Sequence, residues 1–109
     1  MEFKIEDIPS GSKYKRDSVN VIISGKISFR DHDEFFDMIN GVTKKSYDKY
    51  IFDLTNCPSI DSAALGMFVI LNDKIKEKDE YAEISLKNPQ PKVKNYLYSA
   101  RFDSLYEIG

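Results

Sequence analysis

Asp61 and Ser62 are the two residues whose types and placement invite a chemical reading. They lie in PSIDSAALGMF (Pro58 to Phe68), which joins an apolar run to a helical pattern. An aspartate and a serine ahead of small residues mark a helix entrance. With Asp61 as N-cap, its carboxylate accepts from the backbone N–H of Ala63 or Ala64. Ile60 and Leu65 then take the N′ and N4 positions of a hydrophobic staple. Ser62 becomes the first helical residue, with its hydroxyl at the helix mouth. A phosphate there would lie near free N–H groups and the positive end of the helix dipole, so the fold would tolerate it. Asp61 would repel it, and any partner packed on the site would have to desolvate a charge of about −1.5 to −2. The plainer alternative is a serine that only begins a helix.

Little else in the chain suggests catalysis. The single cysteine, Cys57, excludes an internal disulfide, and the single histidine, His32, leaves no His/Cys cluster for zinc. One histidine also supports no Ser-His-Asp arrangement. The five glycines are scattered rather than gathered into a phosphate cradle. Acids are abundant, but no spacing singles out a carboxylate pair. No catalytic residue, metal site or cofactor is therefore expected. A net charge of −2 argues against nucleic acid as a partner. The basic clusters Lys13 to Arg16 and Lys74 to Lys78 read as solvated faces. No stretch approaches the ~20 apolar residues of a membrane span. The opening MEFKIEDIPSG lacks the apolar core of a signal peptide. The expected location is the cytoplasm, without membrane insertion.

The elements that must position Asp61 and Ser62 follow from periodicity. At 109 residues the chain is expected to be one domain, residues 1–109. Glu2 to Ile8 forms a short strand before the turn Pro9-Ser10-Gly11-Ser12. The β-branched run Ser18 to Ser24 is a second strand, ending at Gly25. Asp31 starts a helix, with Glu34 completing a capping box. Phe35, Met38, Ile39 and Val42 supply its core face, while His32 is solvent-facing at the entrance. Lys49 to Leu54 suits a central strand buried on both faces. A helix from Ser62 to about Lys78 follows. Ala82, Ile84 and Leu86 alternate with polar residues as in a half-buried strand. Pro91 opens a last helix through Val93, Leu97 and Ala100. Phe102, Leu105 and Ile108 close the chain. The order β-β-α-β-α-β-α with a short closing element predicts an α/β fold, its sheet mostly parallel with a mixed start.

Helix geometry divides the segment after Ser62. At about 100° per residue, Ala64, Leu65, Phe68, Leu71 and Ile75 share the sheet-facing side. Ser62, Gly66, Val69 and Asp73 share another, with Ile70 beside them. A solvated face would carry Lys and Glu; this one carries a glycine and two β-branched apolar residues. It is either a surface that meets another protein or one covered by a neighbouring helix of the same domain.

FDLTNCPSIDSAALGMFVILNDKIK resembles the signature of STAS domains, the fold of bacterial anti-anti-sigma factors. The resembling parts are Phe52-Asp53-Leu54-Thr55 at a strand end, Ile60-Asp61-Ser62, and Ala63-Ala64-Leu65-Gly66. Gly25, the Asn88-Pro89 break and the ending ARFDSLYEI extend the likeness over most of the chain. The resemblance implies a single STAS-type domain, a mixed sheet with helices mainly on one face. It implies an anti-sigma factor antagonist, which binds a serine kinase of the anti-sigma type when unphosphorylated. Phosphorylation of the serine after the aspartate releases that kinase, and a PP2C-type phosphatase resets the switch. By motif position the acceptor is Ser62, and the protein is a substrate rather than an enzyme. Asp61, Ser62, Gly66, Val69, Ile70 and Asp73 would form the partner surface. Many members have Ser/Thr-Gly after the acceptor, whereas Ala63-Ala64 stands here; Ala63 removes a second hydroxyl, and Ala64 stiffens the helix start.

Two other readings share this layout. One is a non-switching STAS subunit of a lipid-transport ABC complex or a signalling scaffold, with Ser62 only a helix-start residue. The other is a small enzyme or flavodoxin-like carrier. That needs a phosphate-binding loop after the first strand, and no helix follows Ile8 to Ser12.

Overall fold

Alternating burial organises the sheet. The computed structural model describes all of residues 1–109. Its strands are β1 (Glu2–Ile8), β2 (Ser18–Ser24), β3 (Lys49–Asn56), β4 (Glu83–Lys87) and β5 (Glu107–Ile108). Its helices are α1 (His32–Val42), α2 (Ser62–Lys78) and α3 (Pro91–Ser99), with 3-10 turns at Phe29–Asp31 and Phe102–Ser104. The strands lie in the order β1-β2-β3-β4-β5. β1 and β2 form an antiparallel pair, and the remaining neighbours are parallel. Each parallel step crosses over through one helix, as such connections require.

One row of core residues runs across the sheet in register: Ile5, Val21, Phe52, Leu86 and Ile108. Val19, Val21, Ile23, Tyr50, Phe52, Leu54, Ile84 and Leu86 are buried, whereas the residues alternating with them are half-buried or exposed. All three helices pack on the buried face, α1 through Phe35, Met38, Ile39 and Val42, and α3 through Val93 and Leu97.

Three sequence expectations change. β3 is buried on one face, not two: Lys49, Ile51 and Asp53 alternate onto the uncovered side. The contiguous apolar triplet Tyr50-Ile51-Phe52 suggested full burial, but the charges at 49 and 53 mark the wet side. Asp31 is the N-cap position of α1 but makes no side-chain cap bond. Its carboxylate instead turns back to the Ser28 N–H (2.8 Å) and hydroxyl (3.2 Å), closing the turn before the helix. Ala100 caps the end of α3 and is exposed rather than continuing its buried face. His32 is exposed at the first position of α1, its ring stacked on Phe29 at 5.3 Å.

Helix α2 is fastened at its middle. Phe68 meets Phe35 edge-on at 5.0 Å and Tyr106 edge-on at 6.1 Å. The Tyr106 hydroxyl donates to the Phe68 carbonyl at 2.6 Å, and the buried Asn72 amide donates to the Leu105 carbonyl at 2.9 Å. Burial pushes the Tyr106 phenol well above the ordinary tyrosine range. At the opposite sheet edge, the Tyr47 hydroxyl donates to Asp7 at 2.7 Å. Burial, then that bond, push the Tyr47 pKa up to about 12.

Phe68→Ala is expected to cost about 3–5 kcal/mol by denaturant unfolding, since it removes the ring on which α1, α2 and the C-terminal segment converge. Alkaline titration gives a second measurement. The folded state holds the Tyr47 proton to about 12, whereas an unfolded tyrosine releases it near ~10. Stability from Tyr47 is therefore complete below pH ~10 and lost as pH rises through the folded value. Tyrosinate absorbance should show late-titrating phenols, one fewer in Tyr47→Phe.

Candidate functional site

Loop 57–61 carries the chain from the C-terminal end of β3 to α2, and several bonds hold it and the strand end before it. Asp53 Oδ1 accepts from the Thr55 N–H at 2.9 Å and hydroxyl at 2.6 Å, turning the strand end. Gln90 Nε2 donates to the Thr55 carbonyl at 3.0 Å, tying this end to the start of α3. Cys57 is buried with its Sγ 3.5 Å from the Ser59 carbonyl, and burial pushes its thiol up. Its reactivity is thereby suppressed.

A backbone ladder joins this loop to the segment after β2. The Gly25 N–H donates to Asn56 O at 2.9 Å, Ile27 N–H to Ser59 O at 3.1 Å, and Asp61 N–H to Ile27 O at 3.2 Å. Gly25 makes the turn into this segment at φ +86, a left-handed conformation that favours glycine. Asp61 completes the union with its side chain. One carboxylate oxygen accepts from the Ala64 N–H at 2.9 Å, the other from the Phe29 N–H at 3.1 Å. The expected N-cap is therefore present, with Ala64 rather than Ala63 as donor.

Ser62 is the first residue of α2 and is exposed. Gly66, Val69, Ile70 and Asp73 continue along the same exposed side, with Val69 and Ile70 each 37% accessible. No helix of the domain covers them, which removes that alternative. A Cβ added at Gly66 would meet nothing within 4 Å, so no contact inside the domain demands a glycine there. The opposite side of α2 is core: Ala64, Phe68, Leu71 and Ile75 are fully buried, joined by Met67 and Asn72, while Leu65 is half-buried.

The ladder brings in neighbours that the motif alone does not reveal. Phe29, whose backbone N–H is bonded to the Asp61 carboxylate, is 67% exposed. Lys26, Ser28, Phe29, Arg30 and Asp61 line an open cavity of about 480 Å³. A smaller cavity of about 50 Å³ lies between Ser59, Ile60, Lys92, Val93 and Tyr96. The only local hint of the first group is an apolar Phe29 inside the polar run SFRDHDE. The largest cavity, about 690 Å³, lies elsewhere, around Arg16, Asp48 and Asp79. It is at the N-terminal ends of the parallel strands, opposite Ser62, and its Arg16 is already paired with Asp48 and Asp79. No three His, Cys, Asp or Glu side chains converge as a metal site, and no helix is long and apolar enough to cross a membrane.

Comparison with known proteins agrees with this architecture. The STAS domain family model matches residues 12–108. The STAS-domain containing protein PA14_20770 of Pseudomonas aeruginosa (strain UCBPP-PA14) is 34% identical over 91 residues, covering 84% of this chain and 87% of that protein. The fold is similar to the anti-sigma factor antagonist SpoIIAA in its unphosphorylated form, with a TM-score of 0.70, 14% identity, and coverage of 99% of this chain and 88% of that one. The phosphorylated form of the Bacillus cell fate determinant SpoIIAA gives 0.66 at 13% identity, covering 99% of this chain and 91% of that one. With the family model spanning four of the five strands and every helix, the chain belongs to the STAS domain family.

Proposed function

We propose that this protein is a partner-switching regulator of the anti-sigma factor antagonist type, controlled by phosphorylation of Ser62. The observation that carries the reading is the joint exposure of Ser62 and the apolar pair Val69 and Ile70 on one side of α2. Asp61 already supplies the helix cap, so the Ser62 hydroxyl is not needed for folding. The likeness to SpoIIAA, described in both phosphorylated and unphosphorylated forms, supports the same reading.

In the unphosphorylated state the partner, a serine kinase of the anti-sigma type, packs on Asp61, Ser62, Gly66, Val69, Ile70 and Asp73. Phosphorylation places a dianion at the edge of this apolar contact. The helix start tolerates the charge, but the interface would have to desolvate it, so the complex dissociates. A PP2C-type phosphatase restores the binding state. The protein acts in the cytoplasm as substrate and ligand of these enzymes, with no catalytic step of its own.

Incubation with the cognate kinase and ATP should place one phosphate on Ser62 and none on Ser62→Ala, read by intact mass and peptide mapping. Ser62→Asp should bind the kinase at least about tenfold more weakly than wild type, a loss of ~1.4 kcal/mol. Equal affinity would sink the switch and favour a permanent STAS interface. Gly66→Ala separates the surface from the fold. Alanine should stabilise the exposed helix by up to ~1 kcal/mol, while its methyl group weakens the partner contact. A rise in unfolding midpoint with unchanged affinity would remove Gly66 from the interface.

A further inference from the structure

We propose that Lys26 and Arg30 form a receptor for a phosphate monoester dianion beside Ser62. The proposal rests on Ser62 as the acceptor and deepens that reading.

Both side chains line the 480 Å³ cavity whose remaining wall includes Asp61, the residue whose peptide continues into Ser62. Neither takes part in an ion pair, although other cations of the chain do: Arg16 with Asp48 and Asp79, Lys45 with Asp7 and Asp17. The cavity around Arg16 is thus internally neutralised, whereas the one beside Ser62 holds two cations against one carboxylate. That carboxylate is occupied on both oxygens, by the Ala64 and Phe29 N–H groups, and so cannot turn to meet either cation without giving up a bond.

The cations also sit on a fixed support. The Gly25, Ile27 and Asp61 backbone bonds attach their segment to the acceptor loop on one side. The Asp31 carboxylate, bonded to the Ser28 N–H and paired at 3.0 Å with the Met1 ammonium, holds it on the other. His32 stacks on Phe29 with its Nε2 3.2 Å from Asp33. Lys92, lining the small cavity at Ser59 and Ile60, is a further cation near the acceptor loop. A dianion entering here finds Lys26 and Arg30 available and Asp31 already engaged. Paired Lys and Arg are suited to phosphate oxygens, the guanidinium by its fork of donors and the ammonium as a point charge.

A phosphate monoester can reach this place from two sources: the phosphoryl group on Ser62 itself, or the terminal phosphate of a nucleotide held by the partner. The first has a clear consequence for the switch. Retaining the dianion on the protein's own cations would compensate the repulsion from Asp61, keeping the phosphorylated form folded and long-lived while it blocks the partner surface.

The test uses full-length protein with phosphoserine encoded at position 62, so no kinase is needed. The ³¹P shift is followed against pH in the wild-type chain and in Lys26→Gln/Arg30→Gln, with Lys15→Gln, at the cavity on the opposite end of the sheet, as a control. An ordinary phosphoserine has its second pKa near ~6. With both cations present it should titrate about 0.5 unit or more lower than in the double variant, and Lys15→Gln should match wild type. In parallel, unphosphorylated wild type and double variant are compared as kinase substrates. An unchanged ³¹P titration with a fall of about tenfold in kcat/KM, at unchanged partner affinity, assigns the receptor to the nucleotide phosphate. An unchanged titration and an unchanged rate overturn the proposal. Because the phosphate is encoded, failure of any kinase to modify Ser62 would refute the proposed switch without altering the ³¹P result.

Discussion

The Asp61 carboxylate is the interaction on which the Ser62 end of this domain depends. Its two oxygens serve two elements: one satisfies a free N–H at the start of α2, and the other holds the Phe29 N–H. The first sets the helical register, and with it the positions of Ser62, Gly66, Val69 and Ile70. The second brings the β2–α1 segment, with Lys26 and Arg30, against the same helix mouth. Backbone bonds from Gly25, Ile27 and Asp61 make this a short ladder rather than a single contact.

The sheet imposes the other constraint. Only one face is covered, so all three helices must share it. α2 is then pressed between the core and the C-terminal segment. Its inner side is secured by the Phe68 ring and by the bonds from Tyr106 and Asn72. The Phe68 ring points about 120° around the helix from Ser62, while Asn72 lies at the flank between the two sides. The helix can therefore present Val69 and Ile70 to solvent without loosening its own attachment. This exposed apolar pair on an otherwise well-packed helix is what the proposed partner contact rests on.

The division of labour between Asp61 and Ser62 follows. Had Ser62 been the N-cap, its hydroxyl would be bound to a backbone N–H, and modifying it would disturb the fold. The aspartate one residue earlier frees it. Ala63 and Ala64 complete the arrangement differently: Ala64 has no accessible area and joins the core, while Ala63 is only half-covered.

Local chemistry made much of this legible in the sequence. The N-cap at Asp61, Ser62 as first helical residue, the extent of α2 and the core face of α1 all depend on neighbours within a few residues, and the chain order carries them. The resemblance to STAS domains was legible for the same reason, since its motif is contiguous. Nonlocal facts were not. Whether β3 was covered on one face or two depended on where α1, α2 and α3 went, and a three-residue apolar run could not say. Asp31 could be assigned to a cap by spacing, but its carboxylate found a better partner in Ser28. The exposure of Val69 and Ile70 was undecided until the other helices had been placed. The grouping of Lys26, Phe29 and Arg30 with Asp61 spans more than thirty positions, and only the backbone bonds between two loops and the Asp61 carboxylate create it. The sequence by itself determined the elements and the hydroxyl at the helix mouth, because helix caps and periodicity act locally. Tertiary structure alone decided what surrounds that hydroxyl, because the surroundings are set by sheet pairing between segments the chain order keeps apart.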